Sequence, residues 1–148
     1  MLRGTIEYAM DISDLDHRMR LAVDIIQRCL AGEGVELQEK ILTRYEPSLH
    51  RCHDNVREFV EKYPHLTHVL GFYVANRLPI ADTTLVIAHS VVGAPDGSLN
   101  NITPSELDVR YPFVPHTGTP EEFALIAASE PYMVEIPNAL LRRLSIIG

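Results

Sequence analysis

Near Pro64 the sequence changes its periodicity, and that change limits the folds open to the chain. Before it, apolar residues recur at helical spacing: Leu15, Met19, Ala22, Val23, Ile26 and Leu30, then Val56, Phe59, Val60 and Tyr63. After it, THVLGFYV, TTLVIAHSVV and SLNNIT are β-branched and bounded by turn residues, the pattern of strands. Helices that precede strands rather than alternate with them predict an α+β fold, with N-terminal helices packed on a mostly antiparallel β-sheet. Ser13 and Asp16 read as a capping box opening the first helix, and Gly32 and Gly34 end it. A weaker second helix is expected over 37–45, and a third from about Cys52. Ala94-Pro95-Asp96-Gly97 reads as a hairpin turn. Further strands are expected over 111–114 and 132–136, with Pro137 at the first position of a short final helix. No repeat or linker divides the 148 residues, so one domain is expected over 1–148, helical over about 13–63 and sheet over about 66–136.

Composition excludes several classes. An apolar share of 46% with 22% charge belongs to a globular chain. A net charge of −7, with only Arg142 and Arg143 as a basic pair, argues against nucleic acid. No apolar run approaches the roughly 18 residues that span a bilayer, and the N-terminus lacks the apolar core of a signal peptide. With two cysteines, Cys29 and Cys52, a disulfide framework is not expected, and a cytoplasmic location fits.

Cys52 falls at the start of the third helix, in RCHDNVREFV. Backbone N–H groups and the helix dipole there favour a thiolate and can stabilise an oxyanion. Yet Cys52, Val56, Phe59 and Tyr63 also form one stripe, and free cysteine is often a core residue. What separates the readings is a partner for the thiol. His89 is the candidate, on a strand whose two faces are both apolar, where an imidazole needs a hydrogen bond to offset burial. The hairpin brings back Asn100 and Asn101. If Gly93 pairs with Gly97, Asn101 lies opposite His89; if Gly93 pairs with Ser98, Asn100 is a diagonal neighbour on the histidine's face.

Cysteine at a helix start, histidine on a strand and a polar residue on the next strand resembles the papain-like and transglutaminase-like cysteine hydrolases. More narrowly, CHDNV, GFYV, AHSVV and PDGSLNNITP resemble a set of small bacterial and phage proteins with the pattern Cys-His-x-Asn-Val, His-Ser-Val and Asp-Gly…Asp-Ile-Thr-Pro, over about residues 50–115. The resemblance implies a papain-like or transglutaminase-like core and a thiol hydrolase or acyltransferase acting on a protein or peptide amide, as a peptidase or a glutamine deamidase does, without a cofactor. Cys52 would attack the carbonyl, His89 would move the proton and Asn101 would orient His89. His53, Gln38 and His50 are candidates to complete the oxyanion hole, and Asn55 to support the helix start. The pattern usually has aspartate where this chain has Asn101, so Asn101→Asp is expected to preserve or raise activity.

Two other readings compete with the enzyme. A non-catalytic relative would serve as a small acidic protein-binding module. A metal protein would use Cys52-His53 or His65 and His68; but helix neighbours point about 100° apart, and the two later histidines read as loop residues, so no metal is expected. Asp14 and Asp16, and Glu121 and Glu122, read as helix-start and solvated charges rather than acid–base catalysts.

Overall fold

The computed structural model describes residues 11–40, 51–103, 111–129 and 132–148. Six strands, β1 (Gln38–Glu39), β2 (Thr67–Asn76), β3 (Thr83–Gly93), β4 (Leu99–Asn101), β5 (Phe113–Pro115) and β6 (Met133–Pro137), form one sheet in the order β1-β4-β3-β2-β5, with β6 also on β3. Every pairing is antiparallel except β1 with β4. Helices α1 (His17–Arg28), α2 (Cys52–Lys62), α3 (Pro120–Ala127) and α4 (Asn138–Arg143) complete the α+β architecture. Among the described residues, no helix is long and apolar enough to cross a membrane.

β3 is the hub, and both of its faces are covered, as its unbroken apolar run requires. On the helical face Val86 and Ala88 pack with Val23 and Ile26 of α1, Ile126 of α3 and Leu141 of α4. Farther along that face Val92 meets Val56 of α2 and Ile102. On the opposite face Val91 packs against Phe113 and Leu37. The helical stripe read from the sequence therefore finds its partner, except for Leu30, which lies beyond α1 and is 59% exposed.

Several boundaries differ from the sequence reading. The capping box is formed by Asp11 and Asp14 around a single 3-10 turn, and α1 starts later, capped by Asp16, whose side chain accepts from the Met19 N–H. Gly32, with φ of 91°, turns the chain sharply after α1. Instead of a helix from Leu37, residues 38–39 form an edge strand on β4, with Leu37 and Lys40 in no regular element; residues 41–45 of that expected helix lie outside the described residues. The pattern failed there because a few apolar residues satisfy either period, and pairing with β4 decides. Helix α3 went unread although Thr119 and Glu122 form its capping box with Pro120 at the first turn. Pro137 ends β6 and precedes α4 rather than opening it. The hairpin register also differs: Gly93 pairs with Leu99, because Ser98 is held in the turn by Asp96, which accepts from both its N–H and its hydroxyl.

The end of β6 is fixed by a buried polar knot. Asn138, fully buried, accepts from the Thr84 hydroxyl at 2.7 Å and donates to Asp82 at 3.0 Å. Asn138→Ala strands the Thr84 hydroxyl and is expected to cost about 1–3 kcal/mol, the penalty of an unsatisfied buried group, read from urea unfolding midpoints.

Candidate active site

The site is built on residues 89 and 90 of β3. On one edge of this strand β6 pairs with residues 83–87 and β4 with 92–93. Between them the Ala88 N–H donates to Tyr132 O at 3.1 Å. The Ser90 N–H, two residues on and so pointing the same way, meets the Cys52 sulfur. Strand N–H groups lie in the plane of the sheet, so Cys52 sits at the sheet's edge, between its two faces. The N–H groups of His53 and of Cys52 itself also act on the sulfur, as the start of α2 requires.

These donors do not win. Cys52 is 8% exposed, and burial pushes its thiol pKa up, with Asp54 adding to the rise, while the N–H groups of Ser90, His53 and Cys52 pull it down. The expected thiolate is thus corrected to a resting thiol, because desolvation outweighs the helix start. Beside it an open cleft of about 180 Å³ is lined by Arg51, Cys52, His53, Asp54, Ala127 and Tyr132.

His89 projects to the face away from the helices. Its ring stacks on Tyr73 of β2 (4.4 Å between centroids) and meets the edge of Phe113 (6.2 Å). Its Nε2 lies 2.9 Å from Asn101 Oδ1. The orientation of that amide is decided by its other partners: Oδ1 accepts from the Thr103 N–H (3.3 Å), while Nδ2 donates to Thr103 O (3.1 Å) and to Glu39 Oε2 (2.8 Å). With Oδ1 fixed as acceptor, His89 carries its proton on Nε2, and Nδ1 keeps a lone pair. Burial lowers the His89 pKa to about 4, opposed by the bond to Asn101 and assisted by His53.

The structure therefore joins His89 to Asn101, although by neither register expected. With Gly93 opposite Leu99, Asn101 is the diagonal neighbour on the histidine's face. Asn100 points the other way, toward Val92 O and Ser98. Among the described residues no hydrogen bond joins Cys52 of α2 to His89 of β3; the link between them is indirect, through the Ser90 N–H that meets the sulfur and through Tyr73, which stacks on His89 and has its pKa raised by burial, by Glu39 and by Cys52.

The supporting candidates separate. His53 sends Nδ1 to the Ser90 hydroxyl at 2.5 Å and packs edge-on to Phe123. Burial lowers its pKa, against Asp54. Asn55, 3% exposed, donates to the Thr103 hydroxyl at 3.1 Å and so ties α2 to the residue that holds Asn101. Gln38 is exposed on β1 opposite Asn100, with no described bond to Cys52. His50 lies outside the described residues. His68, read as a loop residue, is in β2, and its Nε2 reaches the same Ser90 hydroxyl at 2.9 Å. Burial lowers its pKa, with His53 and Arg57 adding. Ser90, Tyr73 and Glu39 escape the sequence reading, and His68 enters it only as a loop residue and metal-ligand candidate, because strand pairing, not spacing, brings them in. Among the described residues no group of three or more His, Cys, Asp or Glu could hold a metal ion.

The quoted motif fragments thus meet in space: Cys52 and His53 on Ser90, Asn55 on Thr103, His89 on Asn101, and Gly71 paired with His89. No family model, curated protein sequence or solved structure is similar enough to this chain to match it.

Proposed function

We propose that the chain is a cysteine-dependent hydrolase or acyltransferase acting on a protein or peptide amide. The observation that supports this best is the locked amide of Asn101, which takes the Nε2–H of His89 and leaves Nδ1 as a base beside the strand residue that holds the Cys52 sulfur. A buried imidazole with its proton fixed on the far nitrogen has the form of a general base.

The resting pair is neutral, so proton transfer and attack go together. The Cys52 thiol passes its proton to His89 Nδ1 as sulfur bonds to the substrate carbonyl carbon. The carbonyl electron pair moves to oxygen, and the N–H groups of Cys52 and His53, which act on the sulfur at rest, would turn to receive it. Collapse re-forms the carbonyl and expels the amine, which takes the proton from His89, leaving a thioester on Cys52. Water, or an acceptor amine, then attacks the thioester with His89 again as base. Cys52 and His89 must approach each other when substrate binds, as catalytic hydrogen bonds often tighten only in the complex.

The test is acyl-enzyme trapping with p-nitrophenyl acetate, followed by mass spectrometry. One acetyl group per chain is expected on Cys52, lost in Cys52→Ala and retained in Cys29→Ala. His89→Ala is expected to slow acylation about 10²–10⁴-fold, the usual contribution of a general base. If Cys52→Ala is labelled like the parent chain, the enzyme reading fails. The burial and raised pKa of Cys52 would then favour the second reading, a non-catalytic acidic module that binds a partner protein.

A further inference from the structure

Asn101 has two sides, and the hydrolase reading uses only one. Its Oδ1 faces His89; its Nδ2 faces the Glu39 carboxylate at 2.8 Å. The contact is built by the backbone. β1 has only two residues, its pairing with β4 is the one parallel pairing among the described strands, and that pairing sets Glu39 beside Asn101, with the Lys40 N–H donating to Asn101 O at 3.1 Å. Paired residues of neighbouring strands project to the same face, so Glu39 and Asn101 share the face of His89, and Gln38 and Asn100 the other.

We propose that Glu39 is a fourth, positioning residue of this site, holding the Asn101 amide and carrying, one residue farther from the ring, the negative charge that an aspartate at 101 would carry itself. This rests on the hydrolase reading for its function, though not for its geometry. Carboxylate, amide and imidazole form a chain of donors pointing outward: His89 Nε2–H to Asn101 Oδ1, then Asn101 Nδ2–H to Glu39 Oε2. Such a chain polarises toward the carboxylate and supports positive charge on the ring when Nδ1 takes the thiol proton. Groups facing the ring from the surrounding elements are Tyr73 from β2, Phe113 from β5 and Asn101 from β4, and His53 of α2 acts on its charge from the helical side; Glu39 is the fixed negative charge among the groups bonded into the chain. Glu39 is exposed, so water screens it and the effect is moderate.

The arrangement explains why position 101 holds asparagine, and it reverses the expectation for Asn101→Asp. With Glu39 in place, an aspartate at 101 would put two carboxylates at hydrogen-bond distance, where both cannot keep their charge cheaply. Asn101 and Glu39 are a matched pair: exchange of one calls for exchange of the other.

The experiment compares wild type with Glu39→Ala, Glu39→Gln, Asn101→Asp and the double variant Asn101→Asp/Glu39→Gln, each assayed for Cys52 acylation by p-nitrophenyl acetate and for His89 by ¹⁵N NMR of the ring. Glu39→Ala is expected to slow acylation about tenfold, the worth of one charge-assisted hydrogen bond, with ester half-saturation unchanged. Glu39→Gln keeps an acceptor for Asn101 and is expected to lose less. Asn101→Asp is expected to be slower than wild type, and adding Glu39→Gln, whose amide donates to the new carboxylate, to restore the rate. By NMR the His89 titration midpoint should fall in Glu39→Ala and Glu39→Gln, and rise in the double variant. A wild-type rate in Glu39→Ala, a double variant no faster than Asn101→Asp, or a His89 midpoint indifferent to Glu39 overturns the proposal. If wild type is not acylated at Cys52 the hydrolase reading fails by itself, while the NMR midpoint still decides whether Glu39 acts on His89.

Discussion

Gly71→Ala is expected to destabilise the protein by about 3 kcal/mol or more, although it adds one methyl group to the middle of a strand. Gly71 pairs with His89 on β3 and with Pro115 on β5, so it lies where three strands cross the site. A Cβ there would fall 2.6 Å from Val114 O and nearer still to the Phe113 ring, both residues being fully buried. A flexible side chain could move aside; a ladder carbonyl cannot, so β5 must shift away from β2. Overpacking a well-filled core costs about 1–3 kcal/mol, and a backbone obstacle belongs at or above the top of that range. The site suffers as well, because Phe113 supplies one wall of the His89 pocket and an edge to Tyr73. Urea unfolding midpoints test the fold. Gly71→Ala/Phe113→Leu should recover only part of the loss, since the ring is relieved and the carbonyl is not. Full recovery would show that the ring alone requires glycine at 71.

The glycine illustrates what the sequence reveals and what it hides. GFYV reads as a strand by its residues alone, and so do the α+β order and the helix from Cys52, because each follows from local periodicity. That Gly71 is small in order to admit Phe113, 42 positions later, follows from pairing, which local pattern does not encode. The same holds at the site. The contact of His89 with Asn101 was legible because strand alternation restricts where an imidazole and an amide can go; no such contact ties Cys52 to His89. The hairpin register was wrong, since Ser98 stays in the turn with Asp96, and Asn101 still reached the ring because the diagonal neighbour on the same face is within reach of a long side chain. Glu39 was invisible: the residues around it suggested a helix, and only the parallel bridge to β4 turns its carboxylate toward Asn101. The thiol's pKa was misjudged for a related reason. A helix start is readable in sequence, whereas the depth at which the surrounding sheet buries it is not.

Acid is expected to unfold this protein earlier than its carboxylates alone would require, and His89 is the reason. The folded state lowers the ring's pKa to about 4, whereas an unfolded histidine titrates near 6.5. Between those values the unfolded chain binds a proton that the folded one refuses, so stability falls as pH drops from about 6.5 toward 4 and is fully present above that window. A shift of about 2.5 units corresponds to roughly 3 kcal/mol from this one residue, a large part of the stability of a domain this size. The cause is burial: His89 is 8% exposed, and Tyr73 and Phe113 cover the ring with aromatic surface. Burial also lowers the pKa of His53 and His68, which act in the same direction; both are more exposed and contribute less. Urea unfolding at a series of pH values measures the slope. In His89→Gln, whose amide can donate to Asn101 but cannot take up a proton, the slope between pH 6.5 and 4 should shrink by most of that 3 kcal/mol, even where the variant is less stable at neutral pH. An unchanged slope would mean that His89 is protonated in the fold as readily as in the unfolded chain, and a ring so easily charged could not rest as the neutral base that attack by a Cys52 thiol requires.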